Sequence, residues 1–478
     1  MITAIGSLLI LPCLWFWRRP AALLALVLVY SVFSAAAILV VGGLGVTPAL
    51  VPAAMFIGLF LLNMFNGVRY HAERPALLLL APFILVICGA LISSFIMPRL
   101  FEGDVLVWPQ KISPFLVRSP LAPNAGNITQ DMYLLANALL TICAALYLTR
   151  PGMLLARLLD AYLASGLLVI FIAFWQFAGN ILHIPYPSAF FHSNPGWSQL
   201  SDQTIGSLTR LNGPFSEPSS LSAYMCASLS AAGWVMLNGD RRLLPRLTFW
   251  GGLCVVLLTT ASTGYVTLLA MAMLLVARVV IAGGPLLRKR LAIGMAVFLV
   301  LGGLAAGAVP AVAPGAAKEA MLVINATLDK RQSSSYQDRS TADRDSLLEM
   351  SATYGLGVGW GSNRSSSLLP GLLAAIGLWG VGGLVWFGGV LTLRARRAMR
   401  RTEDPLLRHV MRGSAAALIS ALVSALLSGP TISSPDFYLL LAMLVAATAR
   451  GLREAAPRRH VGQAVARLTM TPLGRANP

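Results

Sequence analysis

The stretch ALLLLAPFILVICGALISSFIM, residues 76–97, decides the class of this chain. It carries no charge, and Arg69 and Arg74 precede it. About 20 apolar residues cross the hydrocarbon core of a bilayer as a helix. A helix also satisfies its own backbone polar groups, which lipid cannot do. The same reading repeats along the chain. Thirteen stretches qualify: 2–17, 21–42, 47–65, 76–97, 130–149, 158–180, 218–237, 247–261, 264–281, 291–309, 366–393, 412–428 and 435–449. The spans near 247–281 are short, and the turn from Thr259 to Gly264 makes them a hairpin whose tip lies away from deep lipid.

Composition agrees. Of 478 residues, 57% are hydrophobic and 11% charged, where a soluble chain carries about 25% charge. Mean hydropathy is +0.74. A soluble enzyme, a disordered protein and a secreted disulfide scaffold are excluded. The expected fold is an all-α polytopic membrane protein of about 13 transmembrane helices. A single membrane domain spans 1–452, and a basic cytoplasmic tail, 453–478, touches anionic lipid heads or a cytoplasmic partner.

The net charge of +18 is a topology signal. Twenty-six of the 36 basic residues fall in loops on one side, including seven arginines from Arg394 to Arg412 and six from Arg450 to Arg475. That side is cytoplasmic by charge, which puts the N-terminus outside and the C-terminus inside. A nucleic-acid footprint needs a soluble basic face, so no nucleic-acid partner is expected. The first span lacks a basic segment before it and does not read as an ordinary signal peptide. Cys13, Cys88, Cys143, Cys226 and Cys254 all lie in apolar spans and read as small buried hydrophobes.

Three outer segments exceed a simple turn: 98–129, 181–217 and 310–365. The first is rich in proline and reads as an ordered cover, with Trp108 and Phe115 at the interface. The second ends in Arg210-Leu-Asn-Gly-Pro-Phe-Ser-Glu217-Pro-Ser-Ser220, directly before an apolar helix. Pro218 marks its first turn. An outward helix N-terminus suits an anion, and Arg210 and Glu217 lie beside it. The third segment is the most polar of the chain. Its arginines Arg339, Arg344 and Arg364 are candidates for a lipid-linked diphosphate, because guanidinium forks match phosphate oxygens. Asp338, Asp343 and Asp345 stand beside them, as in a charge-balanced solvated loop. The alternating glycines Gly355–Gly361 lack the Lys-Ser/Thr of a nucleotide loop. His183 and His192 have no Cys or Glu in ligand register, so no metal site is expected.

At these loops the chain resembles the bacterial polysaccharide polymerase and O-antigen ligase superfamily (Wzy and WaaL type). The resemblance rests on Arg210 to Ser219, the hairpin Leu258-Thr-Thr-Ala-Ser262-Thr-Gly, the run Arg339 to Arg344, Gly355-Leu-Gly-Val-Gly-Trp-Gly-Ser-Asn-Arg364, and Leu373-Ala-Ala-Ile-Gly-Leu-Trp-Gly. It covers roughly 200–390. It implies a GT-C-like, metal-independent glycosyltransferase with no cofactor, acting on the periplasmic face of the inner membrane. The implied substrates are undecaprenyl-diphosphate-linked oligosaccharides. Flippase and chain-length co-polymerase proteins are the implied partners besides membrane lipid. By position, Arg210 and one of Arg339 and Arg344 hold the diphosphate. The missing histidine in the third segment and Thr263 after Ser262 depart from the ligase pattern, so the form is closer to exopolysaccharide polymerases.

The implied reaction moves a growing glycan from its diphosphate lipid to a hydroxyl of a new lipid-linked unit. It wants fixed positive charge at the leaving diphosphate and a carboxylate base for the hydroxyl. Glu217 is the first candidate base, with Asp345 and Asp338 behind it. Trp197, Tyr336 and Trp360 stack on sugars or anchor at the interface. Two other readings stay open: an O-antigen ligase acting on lipid A core, and a polysaccharide or lipid transporter without chemistry. Against transport, Asp160, Arg278 and Asp436 fall near span ends.

Overall fold

A computed structural model describes residues 1–109, 117–196, 204–205, 208–312, 318, 321–322, 325, 334–429 and 433–454. Phe115, Trp197 and nearly all of the basic tail lie outside these residues. The helices, in chain order, are α1 (Ala4–Trp15), α2 (Pro20–Ser31), α3 (Leu50–Phe65), α4 (Glu73–Leu100), α5 (Ala125–Tyr147), α6 (Leu154–Leu182) and α7 (Ser188–Phe191). They continue as α8 (Pro218–Leu237), α9 (Leu243–Leu258), α10 (Ser262–Ala282), α11 (Pro285–Val312), α12 (Ser334–Ala352), α13 (Leu368–Arg401), α14 (Pro405–Leu427) and α15 (Pro435–Glu454). The strands, β1 to β6, form three small antiparallel hairpins: Leu39–Val41 with Leu44–Val46, Leu106–Val107 with Ser119–Pro120, and Thr204–Ile205 with Leu208–Thr209.

The chain is an all-α multi-pass membrane protein. Among the described residues, eight helices are long and apolar enough to cross a bilayer, and α1, α2, α3 and α9 are shorter apolar helices. Burial separates core helices from lipid-facing ones. The apolar window of α15 is 89% buried, that of α10 only 11%. Small residues make the close approach at α15 possible: Ala442, Ala446, Ala447 and Ala449 are fully enclosed, and a side chain at Gly451 would meet Ala398 of α13 at 3.2 Å. Two of the five cysteines differ from expectation. Cys88 and Cys254 are exposed, on helix sides that face away from the bundle.

The second apolar stretch corrects the sequence reading. It was expected to run helical through 42, but α2 stops at Ser31. Residues 32–38 are as apolar as a span, yet their backbone is paired with distant chain. Ala35 N donates to Pro214 O at 3.3 Å, Asn194 N donates to Ala35 O at 3.1 Å, and Ala37 N donates to Ser193 Oγ at 3.3 Å. These bonds replace the helical ladder and tie the start of the chain to the second long loop.

Loops assigned by charge to the arginine-rich side meet one another. Arg242 forks onto Asp160 at 2.7 and 2.8 Å, Arg412 reaches Asn238, and Arg290 donates to Leu237 O at 2.9 Å. The three long segments converge at the other end.

Candidate active site

The second long loop is built around one buried amide. Gln176, near the end of α6, accepts from Asn212 N at 3.1 Å and Gly213 N at 2.7 Å, and donates to Asn212 Oδ1 at 2.7 Å. Asn212 is wholly buried. The turn needs φ = +53° at Gly213, which glycine adopts without steric cost. Phe215 then packs against Tyr224 with ring centroids 5.4 Å apart. His192 joins the same bracket, its ring nitrogens 3.0 Å from Ser188 O and 3.1 Å from Phe215 O. The Asn-Gly-Pro-Phe run is thus the fastening that fixes Arg210 before it and Glu217 after it.

Glu217 is the N-cap residue of α8, with extended backbone and Pro218 at the first helical position. Its side chain does not cap the helix. Instead Oε2 accepts from Ser219 Oγ at 2.9 Å and lies 3.8 Å from Arg339 Nη2. Arg339, on the second turn of α12, also donates from Nη1 to Ser428 Oγ at 3.1 Å, where α14 ends. Arg210 donates to Thr260 O in the α9–α10 turn at 3.4 Å. Burial lowers the pKa of the Arg210 guanidinium, and the Arg339 charge lowers it further, against opposing pulls from Tyr265 and Glu217. The Arg339 guanidinium thus pairs with a half-buried carboxylate, and Arg210 lies close enough to feel both charges. Like charges brought together in this way repel, and an anion with several oxygens relieves that repulsion.

The structure thus brings Arg210, Arg339 and Glu217 together. The other residues chosen from sequence stand elsewhere. Asp338 and Arg344 are exposed on α12. Arg344 follows Arg339 by five positions, which turns it away from the Arg339 face. Asp345 lies six residues on, about 9 Å along the helix. Its carboxylate is taken by Trp108 Nε1 at 2.9 Å and Arg118 Nη1 at 3.4 Å. Arg364 is exposed, and its backbone N donates to Trp108 O at 2.9 Å. Tyr336 is exposed, as sugar stacking requires. Trp360 is turned inward, its indole donating to Gln130 O of α5 at 3.4 Å.

Asp343 also has a structural task that a solvated loop would not give it. Its Oδ1 accepts from Ser365 Oγ, Ser366 N and Ser367 N at 2.9, 3.0 and 3.0 Å, and its Oδ2 accepts from Ser367 Oγ at 2.6 Å. Ser367 is the N-cap of α13. A carboxylate is favoured at a helix N-terminus, so this one rivets α12 to α13. Asp343→Ala is expected to cost about 2–3 kcal/mol, the value of a lost charged cap. A fall in apparent melting temperature, absent for Asp338→Ala, is the check.

Sequence reasoning missed Arg118 and Glu349. Glu349 lies four residues after Asp345 on the same helix face, and its side chain is fully buried. That spacing was the available signal. No family model matches this chain, and no curated protein is significantly similar to it.

Proposed function

We propose that the chain is a polysaccharide polymerase of the periplasmic face of the bacterial inner membrane. It transfers a growing glycan from undecaprenyl diphosphate to a hydroxyl of a new lipid-linked repeat unit. One observation carries this reading: Arg210 and Arg339, from two separate long segments, meet beside Glu217 at the N-terminus of α8.

The chemistry follows from the charges. The bond between the sugar anomeric carbon and the diphosphate oxygen breaks, and the diphosphate keeps the electron pair. A new bond forms from the acceptor oxygen to the same carbon. Arg210 and Arg339 neutralise charge building on the leaving group. An arriving diphosphate offers Arg339 more negative charge than its 3.8 Å pair with Glu217 does. Arg339 turns to it, and Glu217 is left to take the proton of the acceptor hydroxyl. No step calls on a metal or cofactor. A GT-C-like architecture suits the arrangement, because a lipid-borne donor reaches a site at the bilayer edge from the side.

The test is a reconstituted assay with purified protein and undecaprenyl-diphosphate repeat units. A ladder of longer lipid-linked glycans supports the reading. Transfer to lipid A core without a ladder would make the chain a ligase instead. Movement of the unit across the bilayer without a ladder would make it a transporter. Glu217→Gln is expected to lower the elongation rate by about 10²–10⁴-fold, the usual contribution of a positioned base.

A further inference from the structure

The placement of Arg339 depends on what holds α12. Asp343 fastens one side of that helix to α13. The other side meets the first long loop, where β3 and β4 pair Leu106 with Pro120 and Val107 with Ser119. Arg118 directly precedes β4, on the turn side of this hairpin, and is itself pinned by a bond to Leu106 O. From there it forks. Its Nη1 lies 3.4 Å from Asp345 Oδ1, and its Nη2 lies 3.9 Å from Glu349 Oε1. Trp108, on the same loop, holds the second oxygen of Asp345. The side chain of Glu349 has no solvent exposure. Neither of its carboxyl oxygens accepts a hydrogen bond among the described residues.

We propose that Arg118 is a positioning residue, which bridges Asp345 and Glu349 to dock α12 on the first long loop and thereby sets where Arg339 stands. The consequence for substrate rests on the polymerase reading; the docking itself does not.

The docking is also sensitive to pH. Burial pushes the Glu349 carboxyl up to about 8, Arg118 pulls it down and Asp345 pushes it up. The charged groups acting on it are thus Arg118 from the first loop and Asp345 from its own helix. Towards α12, α13 presents the serines 365–367, which bind Asp343. Docked, Glu349 is neutral up to about pH 8. Undocked, it is an ordinary carboxyl that ionises near pH 4.5. A proton is therefore bound on docking. Docking is strongest below the lower value and weakens through the window up to about 8, by at most about tenfold per pH unit.

The experiment is hydrogen exchange of α12 in the full chain, held in lipid nanodiscs, alongside affinity for geranylgeranyl diphosphate as a short soluble probe. Arg118→Ala is expected to speed exchange of α12 and weaken the probe about tenfold. Arg118→Lys restores part of both, since one ammonium cannot reach both acidic side chains as a guanidinium fork does. After correction for intrinsic exchange, wild-type α12 opens more readily at pH 8 than at pH 6, and Glu349→Gln does not. If Arg118→Ala fails to fold, Glu349→Gln carries the test through its pH response alone. Unchanged α12 protection in Arg118→Ala, or equal pH responses in wild type and Glu349→Gln, would overturn the docking. Looser α12 with unchanged probe affinity would overturn the positioning role. Looser α12 in Arg118→Ala, with a wild type that binds no diphosphate, would keep the dock and remove the polymerase reading.

Discussion

Arg339→Ala is expected to slow glycan elongation by about 10²–10³-fold, the usual cost of removing one preorganised group aimed at developing charge. The expectation comes from the position of the guanidinium. It reaches Glu217 on one side and Ser428 on the other, and its charge is felt at Arg210. Held by two partners, it stands beside the site before substrate arrives and has only to turn from Glu217 to the diphosphate on binding, so little reorganisation remains when the leaving group forms. Arg210→Ala should cost a similar amount. The double variant should fall short of the product of the two, because both guanidiniums serve one anion and neighbours do not add. Arg339→Lys keeps the charge but loses the fork, and should recover only part of the rate. Arg344→Ala, on an exposed part of α12, should stay close to wild type. The measurement is single-turnover extension with a fixed lipid-linked donor. Equal losses in Arg344→Ala and Arg339→Ala would show that general positive charge, not this geometry, is what matters.

The contrast between Arg339 and Arg344 marks how far the sequence could be read. The apolar stretches were legible because each is a local property, and each overlaps a helix, although the stretch 21–42 is helical only through Ser31. The end of α2 was not, because residues 32–38 are held by Pro214 and Ser193, far along the chain. Arg210 and Glu217 were legible as charges flanking an apolar helix start. Choosing among Arg339, Arg344 and Arg364 needed the helical phase of α12. Asp343 and Asp345 look alike in a charged run, yet one caps α13 and the other meets Arg118. Glu349 looks like any surface acid until the first long loop covers it. Local patterns predict elements; the partners of a polar group are set by chain that is distant in sequence.

Gly377→Ala is expected to destabilise the protein strongly. The residue interrupts α13 with φ = 64° and ψ = −170°, a region that side chains avoid at a cost of about 1–3 kcal/mol. A broken helix in a membrane must find other partners for its freed backbone groups. Here the glycine run supplies them. Val358 N donates to Ala374 O at 2.7 Å, Gly359 N donates to Ala375 O at 3.1 Å, and Leu378 N donates to Gly355 O at 2.9 Å. The alternation of glycines, meaningless as a nucleotide loop, gives φ of +80°, +87° and +96° at Gly355, Gly357 and Gly359 and lets this segment lie against the break. A Cβ at Gly377 would stand 2.2 Å from Gly355 O and 2.5 Å from Leu356 O. Both are backbone atoms, so relief requires the pairing to open. Losing the three bonds adds about 1 kcal/mol each, for a total above about 4 kcal/mol, in the range where a single change is exceptional. Gly382→Ala, in the same helix with no atom near its added carbon, should be neutral or stabilising by about 0.5–1 kcal/mol. The check is apparent melting temperature in one detergent at one scan rate, since unfolding of such a chain is a rate as much as an equilibrium. A large drop for Gly377→Ala beside no drop for Gly382→Ala would establish that the break is built into the fold. Equal behaviour of the two would mean that α13 runs straight and that the glycine segment pairs elsewhere.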